Sequence, residues 1–380
     1  MSTNSLRKLT CLSKLSRQIT TRHNGNIISH ISRINQARPI SSTPRRPAKA
    51  REVAHRNTFA EVRFTASDVP PLSFFTAQAR PPLVTSDEVT PSECFEACQQ
   101  YARLAVEDSP GWRQRALTTT TTTFSSNSTT PGKIPLYVLH YAAVMLMQSP
   151  TSAGHLATHI LHTGVTLAYA PSILTIARLG LKRHMLDRPH FAPAKEALER
   201  LAAARAPGQS DGRYRPDALA LLGLAHAQLG SDDRALWLLG GAAAAAKFQA
   251  QAQDGERWRA PTWHWGASAV LEQAKILARR RQADRARDVL REAARELDNA
   301  DVCYQYALLL GEDDPERTAM LQRAAISGVE DAAREMGQAE LRRLQEEEGR
   351  GEGRMDERER RDRRVIAEEW LGVAGDRAII

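Results

Sequence analysis

The sequence predicts an all-α fold: an α-solenoid of antiparallel helix pairs behind a disordered N-terminal presequence and linker. Three observations carry that expectation. Alanine, leucine, arginine and glutamate crowd the second half, and aromatic residues make up only 6% of the 380 residues, a composition that favours helix. From residue 134 onward, apolar residues recur at helical spacing between short breaks, with few alternating runs to compete. Small residues also recur where packed helices would cross, as in "AAISGVEDAAREMG", residues 324–337. A glycine inside a helix costs roughly 1 kcal/mol relative to alanine, so Gly328 and Gly337 need a reason.

The N-terminus reads as an address. Residues 1–51 hold eleven Lys/Arg and no Asp or Glu. Leu6, Leu9, Leu12, Leu15 and Ile19 share one side of a helical wheel, with Arg7, Lys14 and Arg17 opposite. An amphipathic, acid-free segment rich in Arg and Ser is the signature of a mitochondrial transit peptide. The stretch "RPISS" places its cleavage near Ile40 or Ser41. Seven of the basic residues lie in 1–40, so the net charge of +8 falls to 8 − 7 = +1 without them. The charge thus belongs to the address, and the rest of the chain lacks the basic surplus that nucleic-acid binding draws on.

Residues 41–88, rich in Pro, Ser and Arg, predict an extended linker anchored through Phe74 and Phe75. In 89–150, Thr90, Pro91 and Glu93 form a capping box opening a helix, and "TTTTTTFSSNSTTPG" (118–132) is a low-complexity loop. The run "IPLYVLHYAAVMLM" (134–147) falls short of the roughly 20 residues a bilayer requires, so no transmembrane span is expected. Helical periods then fall at about 134–148, 152–164, 171–185, 193–205, 217–229, 232–248, 263–281, 284–297, 300–310, 315–327, 329–346 and 358–374. Residues 151–346 form the expected repeat array, with an insertion around 250–262. Residues 347–380 supply a charged linker and a capping helix that offers Val365, Ile366, Trp370 and Leu371.

Within the array, Leu219, Leu222, Gly223 and His226, then Gly230, Ala235, Leu239 and Ala242, keep the spacing of a helical hairpin. Val270, Ala274, Leu277, Ala286, Leu290 and Ala293 repeat it, with Arg281 where the first copy has glycine. This pattern resembles the tetratricopeptide repeat. The stretch with Ala324, Ala325, Gly328, Ala332, Ala333 and Gly337 resembles the related Sel1-like repeat, and "APSILTIARLG" (170–180) is similar to a degenerate copy ending at Gly180. The crossing positions Gly180, Gly223, Ala274, Gln305 and Gly337 would let helix axes approach closely. The resemblance implies stacked hairpins whose first helices line a groove. Leu224, Gln228, Lys275 and Arg279 would face a protein partner there, and the two cations would suit an acidic segment. It also implies a non-catalytic scaffold or adaptor, as in mitochondrial assembly factors for respiratory complexes, in the matrix or on the matrix face of the inner membrane.

Chemistry has few candidates. His155, His159 and His162 share one helix face and could ligate zinc or haem iron, though no nearby carboxylate or cysteine completes a motif. Trp263, His264 and Trp265 cluster at a helix start and read as a plug at a repeat junction. Cys94, Cys98 and Cys303 read as free thiols. No phosphate-binding loop, dinucleotide fingerprint or nucleophile elbow occurs, so neither an enzyme nor a cofactor is expected. The rival readings are a gene-expression or ribosome-associated factor that contacts RNA, and a metal- or haem-handling protein. Oligomeric state is not set by the sequence.

Overall fold

The computed structural model describes residues 62–79, 89–119, 133–149, 153–204, 212–253, 264–349 and 356–375. The expected presequence, Trp263, and most of the linker, of the Thr/Ser-rich loop and of the insertion around 250–262 lie outside them. The described chain is mostly helical and forms two compact units, one holding residues 62–230 and 241–253, the other 231–240 and 264–375. The sequence reading puts a boundary near residue 150. The contacts instead divide the chain inside the expected array.

The first unit opens with α1 (Leu72–Gln78), α2 (Pro91–Glu107) and α3 (Trp112–Ala116). A two-residue parallel bridge follows, in which Leu117 and Thr118 (β1) pair with Ile134 and Pro135 (β2) and bring together the ends of the threonine-rich segment. Then come α4 (Leu136–Leu146), α5 (Ala153–Thr166), α6 (Ala170–Lys182), α7 (Ala192–Ala203) and α8 (Arg215–Gln228). The long α9 (Asp232–Gln253) gives its first turns to the second unit and the rest to the first. The second unit continues with α10 (Gly266–Arg279), α11 (Ala283–Glu296), α12 (Ala300–Ala307), α13 (Pro315–Ile326), α14 (Glu330–Gly349) and α15 (Glu357–Val373).

Local chemistry sets where these helices start and stop. At α2 the Thr90 hydroxyl accepts from the Glu93 amide at 3.2 Å, and the Glu93 carboxylate accepts from the Thr90 amide at 2.7 Å. Asn299, Asp314 and Asp356 cap α12, α13 and α15 in the same way, each satisfying an orphan donor. One C-terminal device recurs. After α5, α6, α10 and α13 the second residue past the helix end turns left-handed, at Ala168, His184, Arg281 and Gly328 with φ of 56°, 53°, 60° and 91°. In each case the following amide returns to a carbonyl five residues back, such as Val329 to Ala324 at 3.0 Å and Gln282 to Leu277 at 2.9 Å. This is the Schellman closure, and only the last of the four uses glycine.

Most helices pack on a sequence neighbour, and several also pack on the next but one. In the first unit, α4 packs on α5, α5 on α6 and α7, α6 on α7 and α8, and α7 on α8, while α1 and α2 pack on α4. In the second, α10 packs on α11 and α12, and the series continues pairwise from α11 to α15. The core of the second unit runs from Val270 through Leu290, Val302, Tyr306, Leu321 and Met336 to Ala374. Its seams are lined by Ala274, Ala286, Ala324, Ala325, Ala332 and Ala333, each at most 5% exposed. Small residues on facing helices let the axes come close and leave the leucines to fill the flanks.

Two details depart from the sequence reading. The stretch expected to be an extended linker contains α1, whose Phe75 is fully buried against Phe74 and Phe95 at ring separations of 5.5 and 6.0 Å. The C-terminal helix docks through Ala367, Leu371 and Ala374, with Trp370 partly buried, while Val365 and Ile366 stay 45% and 44% exposed. Gly337 sets that register, because a Cβ there would stand 2.7 Å from Leu371 Cγ and 3.1 Å from the Ala367 carbonyl.

Candidate functional site

A group of buried and half-buried polar side chains in the first unit lies where α2, α3 and α5 meet. Tyr101 comes from α2, Trp112 and Arg113 from α3, and His159 and Thr163 from α5. The Tyr101 hydroxyl is 2.9 Å from His159 Nδ1, 2.6 Å from Thr163 Oγ1 and 3.3 Å from the His159 carbonyl. Arg113 reaches the same two α5 residues, with Nε 3.4 Å from Thr163 Oγ1 and Nη2 3.5 Å from His159 Nε2. Its guanidinium carbon sits 4.9 Å above the Trp112 ring, a cation–π contact. Phe64, from the extended stretch before α1, closes the other side with its ring edge-on to His159 at 5.2 Å.

Donor and acceptor roles follow from what each group can do. A guanidinium only donates, so His159 Nε2 accepts and the ring proton belongs on Nδ1, directed at the Tyr101 oxygen. Burial pushes the Tyr101 hydroxyl well above its ordinary pKa, against the pull of the Thr163 hydrogen bond and the Arg113 charge. Tyr101 therefore keeps its proton and shares it between Thr163 Oγ1 and the His159 carbonyl. The arrangement fixes Arg113 from one side, with no activated nucleophile beside it. Cys94 and Cys98 on α2 are buried free thiols. Burial pushes Cys94 up to about 12 and Cys98 upward as well, so both remain protonated and unreactive.

The structure does not bring the three histidines together. His155 is exposed, while His159 and His162 are 3% and 8% exposed. His159 is held by Tyr101, and desolvation lowers His162 to about 4, with His190 adding a smaller push. Among the described residues no three or more His, Cys, Asp or Glu side chains converge as metal ligands would. The expected groove residues are also differently engaged. Gln228 Nε2 donates to the Leu181 carbonyl at 3.1 Å, and Leu224 is half-buried. Lys275 pairs with Glu272 at 3.2 Å and Arg279 with Asp232 at 2.8 Å. Both cations reserved by the sequence reading for an acidic partner thus have carboxylates of their own. Spacing explains the first pair, since residues three apart on a helix are neighbours. The second needs Asp232 at the start of α9, 47 residues away.

The packing positions behave more uniformly. Ala235, Ala274, Ala286, Ala324, Ala325 and Ala332 are buried, as is Gly223 on α8. A Cβ on Gly180 would meet Leu186 and Phe191 at 3.2 Å, so that glycine makes room for the connection after α6. Gly164, which the sequence reading passes over, is tighter still. A Cβ there would lie 2.6 Å from Ser172 Cβ, where α5 meets α6. Trp265 is half-buried and His264 exposed.

No family model matches this chain, and neither a curated protein nor a solved structure matches it. The site therefore stands on its own geometry. Of its members the sequence reading singled out only His159, as a metal ligand, and the grouping went unseen because Tyr101 and His159 are 58 residues apart, and Arg113 and Thr163 are 50 apart. The one available signal was a tryptophan–arginine pair after a Gly-containing turn.

Proposed function

We propose that this protein is a non-catalytic scaffold: an α-solenoid of tetratricopeptide- or Sel1-like hairpins that holds a protein partner inside mitochondria. Assembly of a respiratory complex is the process this reading favours. The observation that carries it is the packing of successive helices on their neighbours and next-but-one neighbours, with alanine and glycine in the seams. Stacked arrays present long surfaces rather than closed cavities, which suits holding another chain. The acid-free amphipathic N-terminus supports the address, and the near-neutral charge after residue 40 weighs against an RNA-contacting role. No described helix is long and apolar enough to cross a membrane.

Two measurements test the proposal separately. Radiolabelled chain offered to isolated mitochondria should become protease-protected and shorten by about forty residues, as a transit peptide requires. Import without potential-dependent shortening would remove the matrix address. Proximity labelling from a fusion to the C-terminus should then mark a small set of proteins of one complex. Labelling dominated by ribosomal proteins, with RNA binding that weakens steeply with salt, would replace the scaffold reading with the gene-expression one.

A further inference from the structure

We propose that Arg113 is the centre of a carboxylate-binding site, at which an acidic side chain or C-terminal carboxylate of a partner protein docks on the free edge of the guanidinium. The inference rests on the scaffold reading only in taking the carboxylate to be a protein's. A guanidinium presents five N–H donors on two edges. The side edge, formed by Nε and one Nη2 hydrogen, is directed at Thr163 Oγ1 and His159 Nε2 at 3.4 and 3.5 Å. One face rests on Trp112. The end edge, with one Nη1 hydrogen and the second on Nη2, has no partner among the described residues, and neither has the remaining Nη1 hydrogen.

No described carboxylate lies within ion-pair distance of Arg113, and Tyr101, Thr163 and His159 bring no negative charge. Other half-buried arginines are treated differently: Arg317 pairs with Glu335, Arg334 with Asp331, Arg363 with Glu340 and Arg280 with Asp233. Removing a cation from water without a counter-charge is costly, and the indole face offsets only part of that. A second surplus donor adjoins it. The Trp112 ring is 2% exposed and its Nε1–H has no acceptor, although buried indole N–H groups usually find one.

Arg113 thus offers a single positive charge and a free two-donor edge, above a ring whose buried N–H is also unmet, while Thr163 Oγ1 and His159 Nε2 lie on its other edge. Its complement is planar, singly negative and acceptor-only, which describes a carboxylate meeting arginine fork to fork. A phosphate dianion fits less well. The next arginine, Arg115, is turned away onto the Pro110 carbonyl and the Ser109 hydroxyl and supplies no second cation to the edge.

The test uses the purified full chain at about 0.15 M salt and three peptide probes labelled with an uncharged dye that carries no carboxylate. These are hexaglutamate with an amidated C-terminus, hexaglutamine with an amidated C-terminus, and hexaglutamine with a free one. Wild type should bind at least one carboxylate-bearing probe roughly tenfold or more tighter than amidated hexaglutamine. Which one it binds separates side-chain from chain-end docking. Arg113→Gln should abolish that preference, and Arg113→Lys, which keeps charge but loses the fork, should retain only part of it. Thermal melts establish that each variant is folded. If Arg113→Gln is not, Trp112→Phe, which keeps an aromatic face beneath the guanidinium but loses the N–H and part of the ring area, should weaken binding severalfold. Equal binding of all three probes to wild type, or unchanged binding by a folded Arg113→Gln variant, would overturn the site. So would inorganic phosphate displacing the probe at lower concentration than acetate. Failure here leaves import and proximity labelling untouched, so the scaffold reading stands or falls separately.

Discussion

Gly337 and Gly328 lie nine positions apart and are glycine for opposite reasons. At Gly337 the backbone is ordinary helix and the constraint is space. A Cβ would press on Leu371 at 2.7 Å and on the Ala367 carbonyl, a backbone atom that cannot swing aside. Gly337→Val should therefore destabilise by ~1–3 kcal/mol, read as a lower urea midpoint with unchanged slope. At Gly328 nothing lies within 4 Å, but φ is +91°, and an L-residue there loses ~1–2 kcal/mol to left-handed strain. The converse holds at Arg281, which adopts φ +60° in the same closure with an ordinary side chain. Arg281→Gly should raise stability by up to ~1 kcal/mol, the relieved strain being partly offset by the freer unfolded chain. A lower melting temperature would show that the Arg281 side chain contributes more than its backbone strain costs.

Helix boundaries were legible where a side chain next to the helix announces them, as with Thr90 and Glu93. The alanine seams were legible because burial on stacked helices repeats at fixed offsets. What α15 buries was not legible, because its own pattern offers two faces. Val365 and Ile366 are the more apolar pair, yet Ala367, Leu371 and Ala374 form the buried stripe, since only small residues and one leucine fit against Gly337. The decision lies in the partner helix. Leu371→Ala should accordingly cost ~2–5 kcal/mol in chemical denaturation, while Ile366→Ser should shift stability by no more than about 0.5 kcal/mol. The reverse ranking would mean α15 docks in the other register. The Arg113 junction was hidden for a related reason. Its three helices meet through contacts 50 and 58 residues apart, and nothing local to "GWRQRA" records what α5 will bring.

Across the whole molecule the two units depend on ionisation in different ways, and this should divide them in acid. The first unit holds a half-buried His140 and a buried His162, each lowered to about 4 by desolvation. His140 faces the Ser172 hydroxyl at 3.2 Å and the edge of Tyr169, whose own hydroxyl burial pushes upward, and His162 feels His190. None of these neighbours offers a negative charge to welcome a proton. Because the folded pKa lies below the unfolded value of about 6.5, the unfolded chain binds more protons between those limits. The stabilising contribution is thus complete above pH 6.5 and is lost as pH falls toward 4. In the second unit the shifted acids are carboxylates. Hydrogen bonds from Arg280 and Tyr306 hold Asp233 and Glu316 below their ordinary values, so their small surface contribution is complete above the unfolded values of about 4 and is lost as pH falls through the lower folded ones. Hydrogen exchange followed by mass spectrometry from pH 7.5 to 4.5, corrected for intrinsic rates, should show protection failing first in α4–α6 while α10–α14 hold. His140→Gln should flatten that dependence in the first unit, because glutamine can still meet Ser172 but takes no proton in this range. Simultaneous loss of protection in both units would mean that the buried imidazoles do not govern the acid limit.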